Sequence, residues 1–259
     1  LLWWCAAQAR QHRNYREALN LLNNAIEKAP DEADFWVERA WVLRGLDEVA
    51  AARRDLERVA ILQPADNRVS QGLGVLSLEA GDASSALEYL THALLLTPND
   101  AESLIWRSAA NESLGNFQAA LKDVDGAIEA NSGKTNYRYW RALALLDIGE
   151  RKSAKTELDM LINESQAGSA LSHYVHMWRL VIALLNDDTD TAEVIRQHIR
   201  TEIVSDDIHF LLALINNQAS GMTADSPIRE HHTTLSTSHH YAIQRHSDRI
   251  YRLFNLSFG

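Results

Sequence analysis

Asn14-Tyr15-Arg16-Glu17-Ala18-Leu19-Asn20-Leu21-Leu22-Asn23-Asn24-Ala25-Ile26-Glu27-Lys28-Ala29-Pro30 decides how this chain is read. Ala18, Leu19, Leu22, Ala25 and Ile26 recur at the spacing of one apolar stripe along a helix. Pro30 closes the stretch, because the ring removes a backbone donor and clashes with the preceding turn. The same punctuation returns at Pro64 and Pro98 and gives way to Ser132, each step being 34 residues.

Working outward, the period holds at other places. Ala18, Ala52, Ala86, Ala120 and Ala154 form one series, beside Leu22, Leu56, Leu90, Val124 and Leu158, and then Ala25, Val59, Ala93, Ala127 and Leu161. Small residues at Ala6, Ala40, Gly74, Ser108 and Ala142 mark where two helices must approach closely. Gly81, Gly115 and Gly149 fall between the two helices of their units, where a left-handed or tight turn is needed. Each unit therefore reads as helix, turn, helix, with Asp31-Glu32 and Asn99-Asp100 expected to supply caps and first-turn carboxylates for the helices that follow.

Composition limits what such a chain does. Among 259 residues, 25 basic against 35 acidic give a net charge of −10, which opposes uniform attraction to phosphate backbones or anionic lipid. Nucleic acid is therefore not expected as a partner, and the excess of acid also argues against helical-hairpin RNA readers. Eleven Gly, four Pro and 46% hydrophobic residues fit a helix-rich chain with ample apolar surface to bury. The single cysteine, Cys5, makes no internal disulfide. No apolar run reaches the roughly 18 residues of a membrane span, and even Leu180 to Leu185 is closed by Asn186-Asp187-Asp188.

Signals for chemistry are weak. Gly72-Leu73-Gly74 resembles part of a dinucleotide fingerprint but lies inside a helical pattern, and neither G-x-S-x-G nor H-E-x-x-H occurs. His173 and His176 share a helix face, and His231, His232, His239, His240 and His246 crowd the C-terminal region. Without Cys or carboxylate ligands at fixed spacing these histidines define no metal site. No catalytic residue, cofactor or metal is assigned, and an enzyme is not expected.

The motif from Asn14 to Pro30, with Trp36 and Leu73-Gly74 in their places, closely resembles the tetratricopeptide repeat. That resemblance implies an all-α, right-handed α-solenoid of antiparallel helix hairpins. Five units are expected over about 1–32, 33–66, 67–100, 101–134 and 135–166. Ala192 lies 38 residues beyond Ala154, so a shifted, degenerate pair is expected over Ala170 to Asn186 and Asp190 to Val204. A capping helix from Asp206 to Gln218 completes the region 167–220. Residues 221–259, rich in His, Ser and Thr, read as a loosely held tail with a helix at 248–256. Its Ile250, Leu253, Phe254 and Leu256 are positioned to dock onto the array or onto a partner. Arg39, Arg107 and Arg141 depart from the motif leucine, a place where an aliphatic stem still packs.

In the family the first helix of each hairpin lines an inner groove. Carried onto this sequence, the groove places imply contacts at Trp41, Arg44, Arg68, Gln71, Trp106, Tyr139 and Trp140. Trp106, Trp140 and Trp178 occupy one place in successive units, each followed by Arg, and these residue types dominate binding hot spots. Trp36 is assigned to packing. The carboxylate clamp of some family members is absent, since Trp3, Ala7 and Glu38 stand at its places and only Arg68 keeps a suitable charge. The function implied is a non-catalytic adaptor holding a peptide or protein segment in the groove.

Two other settings fit the same sequence. The first residue is Leu, so the chain is expected to be a processed product or a segment of something longer, such as the recruiting part of an enzyme. Ala7-Gln8-Ala9 has the small-x-small form of a signal cleavage site, which a periplasmic or secreted assembly factor requires. The same residues fall in register as the first helix of the first repeat, and that reading is preferred.

Overall fold

Six turns between consecutive described helices carry a residue in the left-handed region of backbone space. These are Arg13 (φ 59°), Asp47 (66°), Gly81 (79°), Gly115 (77°), Gly149 (86°) and Asp187 (56°). The first five lie 34 residues apart, and Asp187 follows Gly149 by 38. Glycine takes this conformation freely, whereas a Cβ there costs roughly 1–2 kcal/mol. Three of the six turns thus use the unstrained residue, and the other three depend on their surroundings to hold them.

The computed structural model describes residues 2–164, 169–202, 206–219 and 237–258. Among the described residues there is helix and turn but no strand. In order these are α1 (Leu2–Gln11), α2 (Tyr15–Lys28), α3 (Ala33–Gly45), α4 (Val49–Leu62), α5 (Asn67–Glu79), α6 (Ala83–Leu96) and α7 (Ala101–Ser113). Then follow α8 (Phe117–Ala130), α9 (Thr135–Asp147), α10 (Arg151–Glu164), α11 (Ala170–Leu185), α12 (Thr189–Glu202), α13 (Asp206–Ala219) and α14 (Thr237–Phe258). The chain divides into two compact units, Leu1–Asn116 with Ser236–His239, and Phe117–Leu235 with His240–Gly259.

In the first unit, α1/α2, α3/α4 and α5/α6 pack as antiparallel hairpins, and the first helices adjoin one another, α1 on α3, α3 on α5 and α5 on α7. The repeating apolar positions are buried, Ala18 and Leu22 on α2, Ala52 and Leu56 on α4, Ala86 and Leu90 on α6. Each such leucine contributes roughly 1.5–3 kcal/mol by leaving water. The small-residue series does what its spacing implies. A Cβ on Gly74 would stand 2.6 Å from Leu90 Cγ, so only a bare Cα admits α6 at that distance. Of the expected caps, Asp100 accepts from Ser103 N at 2.9 Å, and Asp82, which was not among them, caps α6 in the same way by accepting from Ser85 N at 3.0 Å. Glu32 at the start of α3 makes no such bond, because its longer side chain suits the position less well.

In the second unit α8 packs on α9, α9 on α10, α10 on α11, and α11 on both α12 and α13. One apolar cluster joins Leu143, Leu146, Val175, Trp178 and Leu180 to Ile243, Ile250, Leu253 and Phe254 of α14. That helix is much longer than the segment 248–256 read from the sequence, and it is packed where a loosely held tail was expected. Ser, Thr and His hid its beginning, although Ile243 stands two helical turns before Ile250 on the same stripe. Residues 220–236 lie outside the described residues, as do Val204 at the expected end of α12 and the side chain of Leu256. No described helix is long and apolar enough to cross a membrane.

The motif departures have a structural use beyond packing. Arg39 donates through Nε and a terminal nitrogen to Asp55 at 2.7 and 2.8 Å, and through the other terminal nitrogen to Asn23 at 2.9 Å. It therefore ties α3 to both second helices beside it. Arg141 repeats the arrangement three periods on, donating to Asp125 at 2.7 Å and Glu157 at 2.5 Å.

Candidate functional site

In the first unit the first-helix layer carries Trp41, Arg44, Arg68, Gln71 and Trp106, all half-buried. Arg44, in the last turn of α3, donates to both oxygens of Glu79 at the end of α5, with Nε at 3.0 and 2.9 Å. Its Cζ lies 5.6 Å from the Trp41 ring centre and 5.8 Å from that of Trp106. One guanidinium is therefore fixed by a carboxylate and flanked by two indoles, the cation–π arrangement in which Arg and Trp share a face. Gln71 donates to Asp100 at 2.8 Å and Ser103 at 3.0 Å, steadying the start of α7. Arg68 is held by Asp66 at 2.6 Å and by Asp34 of the preceding repeat at 2.7 Å. Trp36 packs aside, donating to the Pro30 carbonyl at 2.8 Å with Arg39 over its ring.

In the second unit Tyr139 and Trp140 meet Tyr174 and Trp178 of α11, and the space before them is filled. Trp178 is wholly buried and donates its indole N–H to the Tyr139 hydroxyl at 3.0 Å. Tyr139 is 5% exposed, and burial above all raises its phenol pKa far above the usual value. His246 of α14 sits among the four rings, 4.9 Å from Tyr174, 5.7 Å from Trp178 and 6.3 Å from Tyr139. It stacks nearly parallel to Trp140 at 6.5 Å, and Arg245 Cζ lies 4.9 Å over the same indole. Beside this cage, Arg249 grips Asp147 through Nε at 3.0 and 3.1 Å and a terminal nitrogen at 2.8 Å. Arg252 adds a contact to Asp147 at 2.6 Å.

The structure thus brings Trp41, Arg44 and Trp106 into one cluster, leaves Arg68 and Gln71 on the same layer in their own ion-pair and amide contacts, and places Tyr139 and Trp140 against α14. Sequence reasoning passed over Asp147, Tyr174, Arg249 and Arg252, and weighed His246 only as a metal ligand. Two signals were present. Asp147 lies two periods after Glu79, and His246, Arg249 and Arg252 recur every three residues on a helix whose apolar stripe is Ile243, Ile250, Leu253 and Phe254. Away from this face, the His176 ring lies 4.3 Å from that of His198, tilted by 49°. Burial first, then the neighbouring His198, pushes the His176 pKa down to about 4. Among the described residues no group of three or more His, Cys, Asp or Glu is placed to hold a metal ion.

The hairpins, their turns and their 34-residue period meet a matching family description. The tetratricopeptide repeat model matches residues 8–68, 37–101 and 72–135. The chain belongs to the tetratricopeptide repeat family. Among solved tetratricopeptide structures, one from Parabacteroides merdae aligns over 82% of each chain with a TM-score of 0.62 and 16% identity. Pseudomonas aeruginosa pilF aligns over 82% of this chain and 95% of its own, with a TM-score of 0.63 and 19% identity. These likenesses show the fold.

Tetratricopeptide repeat protein 36 of Homo sapiens is 38% identical over 61 residues, 24% of this chain and 32% of that protein. Superkiller protein 3 of Saccharomyces cerevisiae is 30% identical over 93 residues, 36% of this chain and 6% of that protein. Bacteriophage adsorption protein A of Escherichia coli is 30% identical over 152 residues, 53% of this chain. The chain spans 15% of the length of that last relative, so each of the three is matched over a third of its length or less. Tetratricopeptide repeat proteins are generally non-catalytic scaffolds, and the fold of this chain is consistent with a protein-interaction role.

Proposed function

We propose that this tetratricopeptide repeat chain is a non-catalytic scaffold whose first helices hold a peptide or protein segment of a partner. Its contacts are Trp41, Arg44, Arg68, Gln71 and Trp106 in the first unit and Tyr139 and Trp140 in the second. No cofactor takes part. The division behind this reading is five regular repeats over 1–32, 33–66, 67–100, 101–134 and 135–166, with a degenerate pair and cap over 167–220.

The observation that carries the proposal is Arg44 fixed between Trp41 and Trp106 on Glu79. A side chain already held loses little rotamer freedom when a ligand arrives, and Trp with Arg supplies area and donors together. Gln71 donates from its nitrogen to Asp100 and Ser103, which leaves its carbonyl oxygen to accept from a partner's backbone N–H.

Affinity purification with the intact chain and a Trp41→Ala/Trp106→Ala variant tests this. Recovery of specific partners is expected to fall by about tenfold or more, with helical content unchanged. Equal recovery with both chains contradicts it.

A further inference from the structure

Resting on that reading, we propose that the first-helix face of the second unit is a receptor for an arginine-bearing amphipathic helix. Helix α14 is its tethered occupant, and a partner helix of the same chemistry binds by taking the place of α14.

The repeat arithmetic separates ligand from scaffold. Glu79 takes its guanidinium from Arg44, which stands 35 residues earlier on a neighbouring first helix. Asp147 occupies the same place two periods on, and the residue 35 before it is Glu112, an acid. The regular repeat therefore supplies Asp147 with no arginine at that place. Its cations come instead from α14, outside the repeat, and the carboxylate side chain is only 1% exposed beneath Arg249 and Arg252. A buried carboxylate of this kind demands a paired cation with good geometry, which makes it a selective element and not merely an adhesive one.

The aromatic cage has the same character. Four rings from α9 and α11 surround one side chain of α14, His246, while Arg245 lies over Trp140 and Arg249 over Trp178 at 5.8 Å. A flat ring or a guanidinium suits such a slot. The recognised pattern is a ring or cation, an arginine three residues on, a second arginine three further, and apolar residues on the adjoining stripe. Only 17 residues, 220–236, connect α13 to α14, so the helix competes at the high effective concentration of a tethered segment. A free helix must exceed that to bind.

The test uses the full chain carrying Arg249→Glu and Arg252→Glu, which sets two acids against Asp147, and a fluorescent peptide of residues 237–258 as probe. The charge-reversed chain is expected to bind the peptide at least about tenfold more tightly than the unaltered chain does. Adding Asp147→Asn to it is expected to weaken binding by about tenfold or more. A peptide with the same two reversals is expected not to bind. Equal binding by both chains, no binding to a charge-reversed chain of unchanged helicity, or indifference to Asp147→Asn overturns the proposal.

Hydrogen exchange on the unaltered chain decides the matter if the variant fails to fold. Amides of 241–255 exchanging faster than those of α9 and α11 support an occupant that comes away. Exchange only with the rest of the unit makes α14 a fixed part of the core and overturns it. Loss of partner binding on Trp41→Ala/Trp106→Ala, with no peptide bound by the charge-reversed chain, would leave the first-unit reading standing while this one falls.

Discussion

Glu79 and Asp147 occupy one place in the repeat and live in different surroundings. Glu79 receives Arg44 from within the array, between Trp41 and Trp106. Asp147 receives Arg249 and Arg252 from α14, beside a cage of four rings closed on His246. Both pair a carboxylate with a guanidinium that lies by an indole, Arg44 by Trp41 and Trp106 and Arg249 by Trp178, but in one unit the arginine belongs to the scaffold and in the other to a separate helix. A repeat position thus fixes the kind of contact made, while its neighbours decide who makes it.

Truncating the two carboxylates should separate the cases most widely. Asp147→Ala leaves Arg249, whose side chain is 2% exposed, buried beside an empty space, and is expected to cost about 3–5 kcal/mol in urea unfolding. Arg44 keeps 22% side-chain exposure, so Glu79→Ala lets it turn to water at a cost of about 1–3 kcal/mol. Equal losses would erase the distinction. Next comes Gly74→Val, which drives a branched side chain into Leu90 and is expected to cost about 1–3 kcal/mol in thermal denaturation of the first unit. Gly133→Val is its control, since only Asn131 Oδ1 at 3.7 Å lies near.

Acid probes the second unit. The folded pKa of His176, about 4, lies below the unfolded value near 6.5, so folding favours the neutral ring. Its contribution is intact above pH 6.5 and is lost as pH falls through about 4. Since the ring is only half-buried, an effect on the order of 1 kcal/mol is expected. His176→Gln should flatten the fall in melting temperature over that window, and an unchanged slope would contradict the assignment. The smallest effects sharpen the comparison by matched changes. Asp47→Gly in the first unit and Asp187→Gly in the second relieve left-handed residues and should each stabilise by about 0.5–1 kcal/mol, read from melting curves.

The repeat was legible because its determinants are local. Alanine, leucine and proline at fixed spacing specify hairpins, and Gly74 or Gly115 reports a backbone need that no partner alters. The turns at Arg13, Asp47 and Asp187 were hidden, since Arg carries no signal for a positive φ and Asp, though it visits that region more than most residues, sits far more often elsewhere; the register with Gly81 reveals them. The first-unit residues Trp41, Arg44 and Trp106 followed from their repeat places. Tyr139 and Trp140 were equally legible as members of the first-helix layer, but what stands against them was not. The partnership of Asp147 with Arg249 spans 102 residues, and a one-dimensional period carries no information about a helix that returns from outside it.

Side-chain oxidation footprinting of the full chain, with and without Arg249→Glu/Arg252→Glu, tests the contrast between the two faces most directly. Trp140 and Tyr174 should become more reactive when the helix is charge-reversed, while Trp41 and Trp106 react alike in both proteins. Unchanged protection of Trp140 and Tyr174, or Trp41 and Trp106 as inert as Trp178 in the unaltered chain, would contradict it.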